Sequence, residues 1–138
     1  MLKDSVIVDV DGTLAEFNPE LVKDLVLGEH KDWIPFFELM EEAQPVKEIK
    51  RLVDILKASG QSIVICSGRP AKHQNYTVRW LEKHNIPFDG IYLRAETDDH
   101  LPDEIVKSQL LQKLEEDGFN PWLVIDDRSA VVNFWREA

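Results

Sequence analysis

Two carboxylates stand two residues apart in Val6-Ile7-Val8-Asp9-Val10-Asp11-Gly12-Thr13-Leu14. An apolar, β-branched run ends in acids and then in a glycine. If the strand continues through them, side-chain alternation puts Asp9 and Asp11 on the same side. Carboxylates held that close repel one another unless a cation intervenes or one of them keeps its proton. Gly12 lets the backbone turn sharply just beyond the pair. The pattern suits a metal-dependent site at the mouth of a sheet. It also reads as an ordinary strand ending in an Asp-Gly turn, so the rest of the chain has to decide.

The other chemistry-bearing stretches are Ser67-Gly68-Arg69-Pro70, after Ile63-Val64-Ile65-Cys66, and Asp126-Asp127-Arg128, after Trp122-Leu123-Val124-Ile125. Lys107 stands among apolar residues near the start of a predicted helix. Carboxylates, a hydroxyl, an arginine and a lysine together suit a hard cation and an anion, and all-oxygen ligands favour Mg²⁺ over Zn²⁺. There is no HExxH motif and no cysteine ligand set. His30, His73, His84 and His100 show no metal-ligand spacing and read as surface residues.

Such parts fit phosphoryl transfer. One aspartate attacks phosphorus to give an acyl phosphate. A second protonates the departing alkoxide and later activates water. A hydroxyl and helix N-terminal amides hold the oxygens, and a cationic side chain neutralises them.

The elements that must position these groups can be read in order. Residues 5–10 are a buried strand. Asn18-Pro19 opens a short helix that Gly28 ends, and Trp33 to Met40 is another. The stretch 14–44 reads as a small flap or cap after the first strand. A helix beginning at Pro45 carries Val46, Ile49, Leu52, Val53 and Leu56 at the 3.6 period and closes at Ser59-Gly60. Gln61 to Cys66 is a strand, 71–84 a helix and Phe88 to Leu93 a strand. A polar loop then runs from Arg94 to Pro102. Asp103 caps a helix over 104–117, packed through Ile105, Leu110, Leu111 and Leu114. Trp122 to Ile125 is the last strand and Ser129 to Arg136 the last helix.

Short apolar strands alternating with amphipathic helices predict an α/β fold. The expected architecture is a three-layer, Rossmann-like parallel sheet with helices on both faces, in one domain over 1–138. Ligands of such sheets bind beyond the carboxyl ends of the strands. Asp9/Asp11, Ser67-Gly68-Arg69 and Asp126/Asp127 all fall at that edge.

The 138 residues, 43% hydrophobic and 30% charged, are those of an ordinary globular domain. No apolar run approaches the roughly 20 residues that cross a bilayer, so no membrane partner is expected. The single cysteine, Cys66, excludes an internal disulfide and reads as core packing in a reducing, cytoplasmic setting. The net charge of −10 argues against broad, non-specific nucleic-acid binding.

In order and approximate spacing, Asp9-Val10-Asp11-Gly12-Thr13-Leu14, Ser67-Gly68-Arg69, Lys107 and Asp126-Asp127 resemble the four motifs of the haloacid dehalogenase superfamily. More narrowly, the chain resembles the 3′-phosphatase domain of phage and bacterial polynucleotide kinase/phosphatases. Ile65-Cys66-Ser67-Gly68-Arg69-Pro70, Leu93-Arg94-Ala95, Pro102 through Lys107 and Val124 through Arg136 carry that likeness.

The resemblance implies a Mg²⁺-dependent phosphomonoester hydrolase with an aspartyl-phosphate intermediate. Asp9 is then the nucleophile and a metal ligand. Asp11 is the general acid/base, with its backbone carbonyl on the metal. Asp126 completes the metal site, and Asp127 ligates through water or orients the shell. Ser67 and Gly68 bind phosphoryl oxygens, Arg69 joins them as a substrate contact, and Lys107 holds phosphate and nucleophile. Thr13 supports the first motif and Asp103 positions Lys107.

The substrate so implied is a nucleic-acid 3′ end or a nucleotide, and the likeness leaves room for a separate kinase partner. Polynucleotide phosphatases of this type usually carry an arginine within the segment that here runs Glu16 to Lys23, which has none. Leu101 stands where relatives tend to have a basic residue. No GxxxxGK[ST] phosphate-binding loop is present. Competing readings are a small-molecule or nucleotide phosphatase and a non-catalytic phosphate-binding module.

Overall fold

The computed structural model describes residues 2–17, 33–95, 101–127 and 129–137. Strands β1 (Lys3–Val8), β2 (Ser62–Pro70), β3 (Gly90–Arg94) and β4 (Phe119–Ile125) form one parallel sheet in the order β3-β2-β1-β4. The helices are α1 (Trp33–Met40), α2 (Lys47–Ala58), α3 (Gln74–Lys83), α4 (Asp103–Glu116) and α5 (Ser129–Glu137). A 3₁₀ turn, Ala71–His73, precedes α3.

Side-chain alternation on the central strands sorts the core into two layers. Val6 and Val8 of β1, with Ile63 and Ile65 of β2, pack with Phe36 and Phe37 of α1, Val53 of α2, and Trp80 and Leu81 of α3. Ile7, Val64 and Cys66 face the other way, onto Val106, Leu110 and Leu114 of α4, with Trp135 of α5 beside them. Both faces of β1 and β2 are therefore dry, which is why their sequences are continuous apolar runs rather than alternating ones. Each such side chain contributes about 1.5–3 kcal/mol by leaving water. The expected three-layer α/β architecture is what the chain adopts, and no described helix is long and apolar enough to cross a membrane.

Several expectations shift in detail. β1 ends at Val8, not Val10: the Val10 carbonyl accepts the amides of Thr13 (3.1 Å) and Ala15 (2.9 Å), folding 10–15 into a tight turn. Leu52 and Ile105 sit on the helical period yet are exposed. On α4 the buried stripe is Val106, Leu110 and Leu114, spaced four apart, and Ile105 falls about 100° off that stripe. α4 starts on Asp103 itself, with extended Pro102 in the cap position instead of Asp103.

The stretch after β1 is closed at its base: Glu16 N–H donates to Gln44 O (2.9 Å) and Val46 N–H to Leu14 O (2.7 Å). α1 returns Phe36, Phe37 and Met40 to the core. The helix expected from Asn18 to Gly28 lies outside the described residues.

Candidate active site

Asp9 leaves the end of β1 with its amide still bonded to Ile125 O of β4 (3.0 Å). Its side chain is buried, 7% exposed. Lys107 enters from α4, anchored by the neighbouring Val106 and by Leu110 one turn on. Its ammonium donates to Asp9 Oδ1 (3.1 Å), Asp126 Oδ2 (3.1 Å) and the Cys66 carbonyl at the end of the apolar run of β2 (2.8 Å). Those bonds use all three of its protons. Lys107 is 2% exposed. Burial works against its charge, but Asp9 and Asp126 outweigh burial and raise its pKa above the ordinary lysine range.

Asp9, Asp126 and Asp127 each present an oxygen within 4.8 Å of the others. Burial, followed by the charges of Asp126 and Asp11, raises the Asp9 carboxyl to about 7 against the pull of Lys107. Burial and Asp126 also raise Asp127, while the Thr13 hydroxyl, 3.5 Å from Asp127 Oδ1, works the other way. One ammonium against three converging carboxylates leaves negative charge in excess. The donor set is all oxygen and suits a hard divalent ion.

Gly12 stands beside it at φ +83°, and a Cβ there would overlap the Asp127 carboxylate. The glycine is required both by the turn and by this approach.

Asp11 goes elsewhere. Arg69 Nε donates to Asp11 Oδ2 (2.9 Å) and Nη2 to Oδ1 (2.6 Å), a bidentate pair. The two aspartates, expected on one side of a continued strand, are instead parted by the turn. Ser67 is buried and its Oγ accepts the Arg69 amide (3.1 Å), while Gly68 follows it on the bulged end of β2. Asp103 takes the first position of α4, one turn before Lys107; its side chain and Arg128 lie outside the described residues.

Burial pushes the Cys66 thiol up to about 12, in keeping with packing rather than reactivity. Of the described histidines, His73 packs edge-on to Phe37 and His84 tilts against Trp80.

Sequence reasoning gave no role to Arg94. It is buried at the end of β3, donating to Gly68 O (2.9 Å) and Leu101 O (2.6 Å). It ties the Ser67-Gly68-Arg69 turn to the chain entering α4. An arginine closing an apolar strand at the same sheet edge was the signal. Thr77, which accepts from Arg69 Nη1 (3.3 Å), carried no signal of its own.

The family model of the polynucleotide kinase PNKP phosphatase domain matches residues 3–138. The chain belongs to that family. It is a phosphatase domain of the haloacid dehalogenase type. A solved chain described as the Pnkp1/Rnl/Hen1 RNA repair complex superposes with a TM-score of 0.77 at 25% identity, over 98% of this chain and 39% of that one. A second structure of the Pnkp1/Rnl/Hen1 complex gives 0.78 at 24% identity, over 98% and 42%. The class C acid phosphatase from Bacillus anthracis with tungstate bound shares the fold, at 0.68 and 16% identity over 93% of this chain and 53% of its own. The phosphatase domain thus spans about two-fifths of the length of the first two chains it matches.

Proposed function

We propose that this chain is a Mg²⁺-dependent polynucleotide 3′-phosphatase working through a phosphorylated Asp9. The observation that carries the reading is the buried Asp9–Lys107–Asp126 arrangement with Asp127 beside it, at the carboxyl edge of the central strands. Asp9, Asp126 and Asp127 would hold the ion, with the Asp11 backbone carbonyl as a further ligand. Mg²⁺ there supplies positive charge that screens the phosphoryl oxygens from an incoming carboxylate.

The chain's own groups do the rest. Lys107 holds Asp9 Oδ1 and so aims the carboxylate. An Asp9 oxygen bonds to phosphorus, the ester P–O bond breaks, and Asp11 gives its proton to the leaving 3′ oxygen. Asp11 then takes a proton from water, which attacks phosphorus, releases phosphate and restores Asp9. The Ser67 hydroxyl and Gly68 amide hold the phosphoryl oxygens, and Lys107 shares their charge. Asp103 and Thr13 keep Lys107 and Asp127 in place.

A polynucleotide end is favoured because the family is a polynucleotide kinase phosphatase domain and one similar chain was solved in an RNA repair complex. The same likeness supports a kinase activity on a separate partner, and the single buried cysteine supports a reducing, cytoplasmic setting. The net charge of −10 is the specific observation that favours a small phosphate ester instead. Phosphate release from a 3′-phosphorylated oligonucleotide and from a 3′-mononucleotide, with Mg²⁺ and with chelator, separates the readings. A higher kcat/KM on the oligonucleotide, lost on chelation, is expected. Equal values on both substrates make the chain a small-ester phosphatase, and no release from either makes it a binding module.

A further inference from the structure

Arg69 was expected to touch substrate phosphate, and its surroundings point to another task. Its side chain is 2% exposed. The edge of its guanidinium is committed to both oxygens of Asp11. Nη1 is bonded to Thr77 of α3. The guanidinium carbon lies 5.4 Å from the ring centroid of Phe36 and 5.4 Å from that of Phe37, both buried on α1. An arginine that grips a phosphoryl group needs its fork open toward the ligand. Here the fork is closed on a carboxylate, and aromatic rings stand against it.

Three elements converge on this one pair. β2 supplies Arg69 at its bulged end, α3 supplies Thr77, and α1 brings Phe36 and Phe37 back from the long excursion after β1. A bidentate arginine fixes the plane of a carboxylate, which a point charge such as an ammonium does not. The pair still leaves a lone pair on each Asp11 oxygen. The Asp11 side chain is 19% exposed, so it can carry a proton toward a bound ester while staying clamped.

We propose that Arg69 is a positioning residue for proton transfer: it fixes the Asp11 carboxylate in the orientation from which the leaving oxygen is protonated, and does not itself grip the phosphoryl group. α1 and α3 act through it, so the aromatic side chains that follow the first motif serve the acid and not the metal. The inference rests on the proposed role of Asp11.

The test compares kcat/KM, which reports the step that forms phospho-Asp9, on two substrates. One is a 3′-phosphorylated oligonucleotide, whose alkoxide leaving group needs a proton. The other is 4-nitrophenyl phosphate, whose leaving group hardly does. Wild type, Asp11→Asn, Arg69→Lys, Arg69→Ala and Thr77→Val are measured.

Asp11→Asn is expected to lose about 100-fold or more on the oligonucleotide and under about 10-fold on the aryl ester, the size of a general-acid effect. Arg69→Lys and Arg69→Ala should reproduce that profile, and Thr77→Val should follow it with a smaller loss. Equal losses on both substrates for Arg69→Lys, alongside the uneven profile of Asp11→Asn, make Arg69 a phosphate contact and overturn the inference alone. Equal losses for Asp11→Asn overturn the assigned role of Asp11 and the inference with it. Should Arg69→Ala fail to fold, Arg69→Lys and Thr77→Val, which keep the buried charge or its partner, decide the matter.

Discussion

The two cation–carboxylate groups of the site are built on opposite plans. Around Lys107, a single ammonium serves Asp9 and Asp126 with Asp127 close by, and the carboxylates outnumber it. Around Arg69, a fork meets one carboxylate bidentately and closes on itself with Thr77 and two aromatic rings. The first half has negative charge left over and suits a cation. The second is complete and holds one group still. Lysine suits the former because its ammonium adapts to several oxygens, and arginine the latter because its planar fork dictates orientation.

The largest effect expected on this contrast comes from Asp9→Asn. Its amide keeps the shape but cannot attack, so turnover should fall by about 10³-fold or more, while the circular dichroism spectrum stays unchanged. Substantial residual phosphate release would remove Asp9 from the nucleophile's place.

Lys107→Met comes next. It leaves Asp9 and Asp126 buried without their partner, and stability should drop by about 3–5 kcal/mol. Added Mg²⁺ should recover more stability in this variant than in wild type, read as a shift in Tm. An equal Mg²⁺ shift in both proteins would mean that the ion and the ammonium do not share the same excess charge.

Gly12→Ala should come third. The left-handed backbone costs roughly 1–2 kcal/mol with a Cβ, and displacement of Asp127 should raise the Mg²⁺ concentration needed for half-maximal rate. Unchanged Mg²⁺ dependence would take Asp127 out of the ion site.

How far the site was readable from the chain follows the same division. Asp9, Lys107, Asp126 and Asp127 were legible because apolar strands of a parallel sheet deliver their terminal residues to one edge, and a lysine on the buried stripe of α4 has nowhere else to go. The pairing of Arg69 with Asp11 was not. It depends on two local departures from regularity, the turn over 10–15 and the register shift between Ser67 and Pro70, which aim side chains that alternation alone sends elsewhere. The two bonds described for Arg94 go to backbone carbonyls, and carbonyl positions carry no residue code. Helical periodicity overcounted at Leu52 and Ile105, since a period selects a face without saying how wide the covered stripe is.

The smallest effect concerns pH. Burial and neighbouring acids raise Asp9 to about 7 in the folded chain, well above the ordinary aspartate range. The folded state therefore holds this proton more tightly, and the contribution to stability is present below the ordinary aspartate value and lost as pH rises toward 7. Without divalent ions, the Tm advantage of wild type over Asp9→Asn should shrink between pH 4 and pH 7, and Mg²⁺ should flatten the trend. A difference that grows with pH would mean that Lys107 dominates Asp9 even without the ion.

The claim that Asp9 itself takes the phosphoryl group is tested most directly by acid quench of a single turnover on a 3′-³²P-labelled oligonucleotide with Mg²⁺. The account predicts a transient, hydroxylamine-sensitive label on the peptide containing Asp9, absent in Asp9→Asn. Phosphate released at the full rate with no labelled peptide at any time, or label on a peptide lacking Asp9, would contradict it.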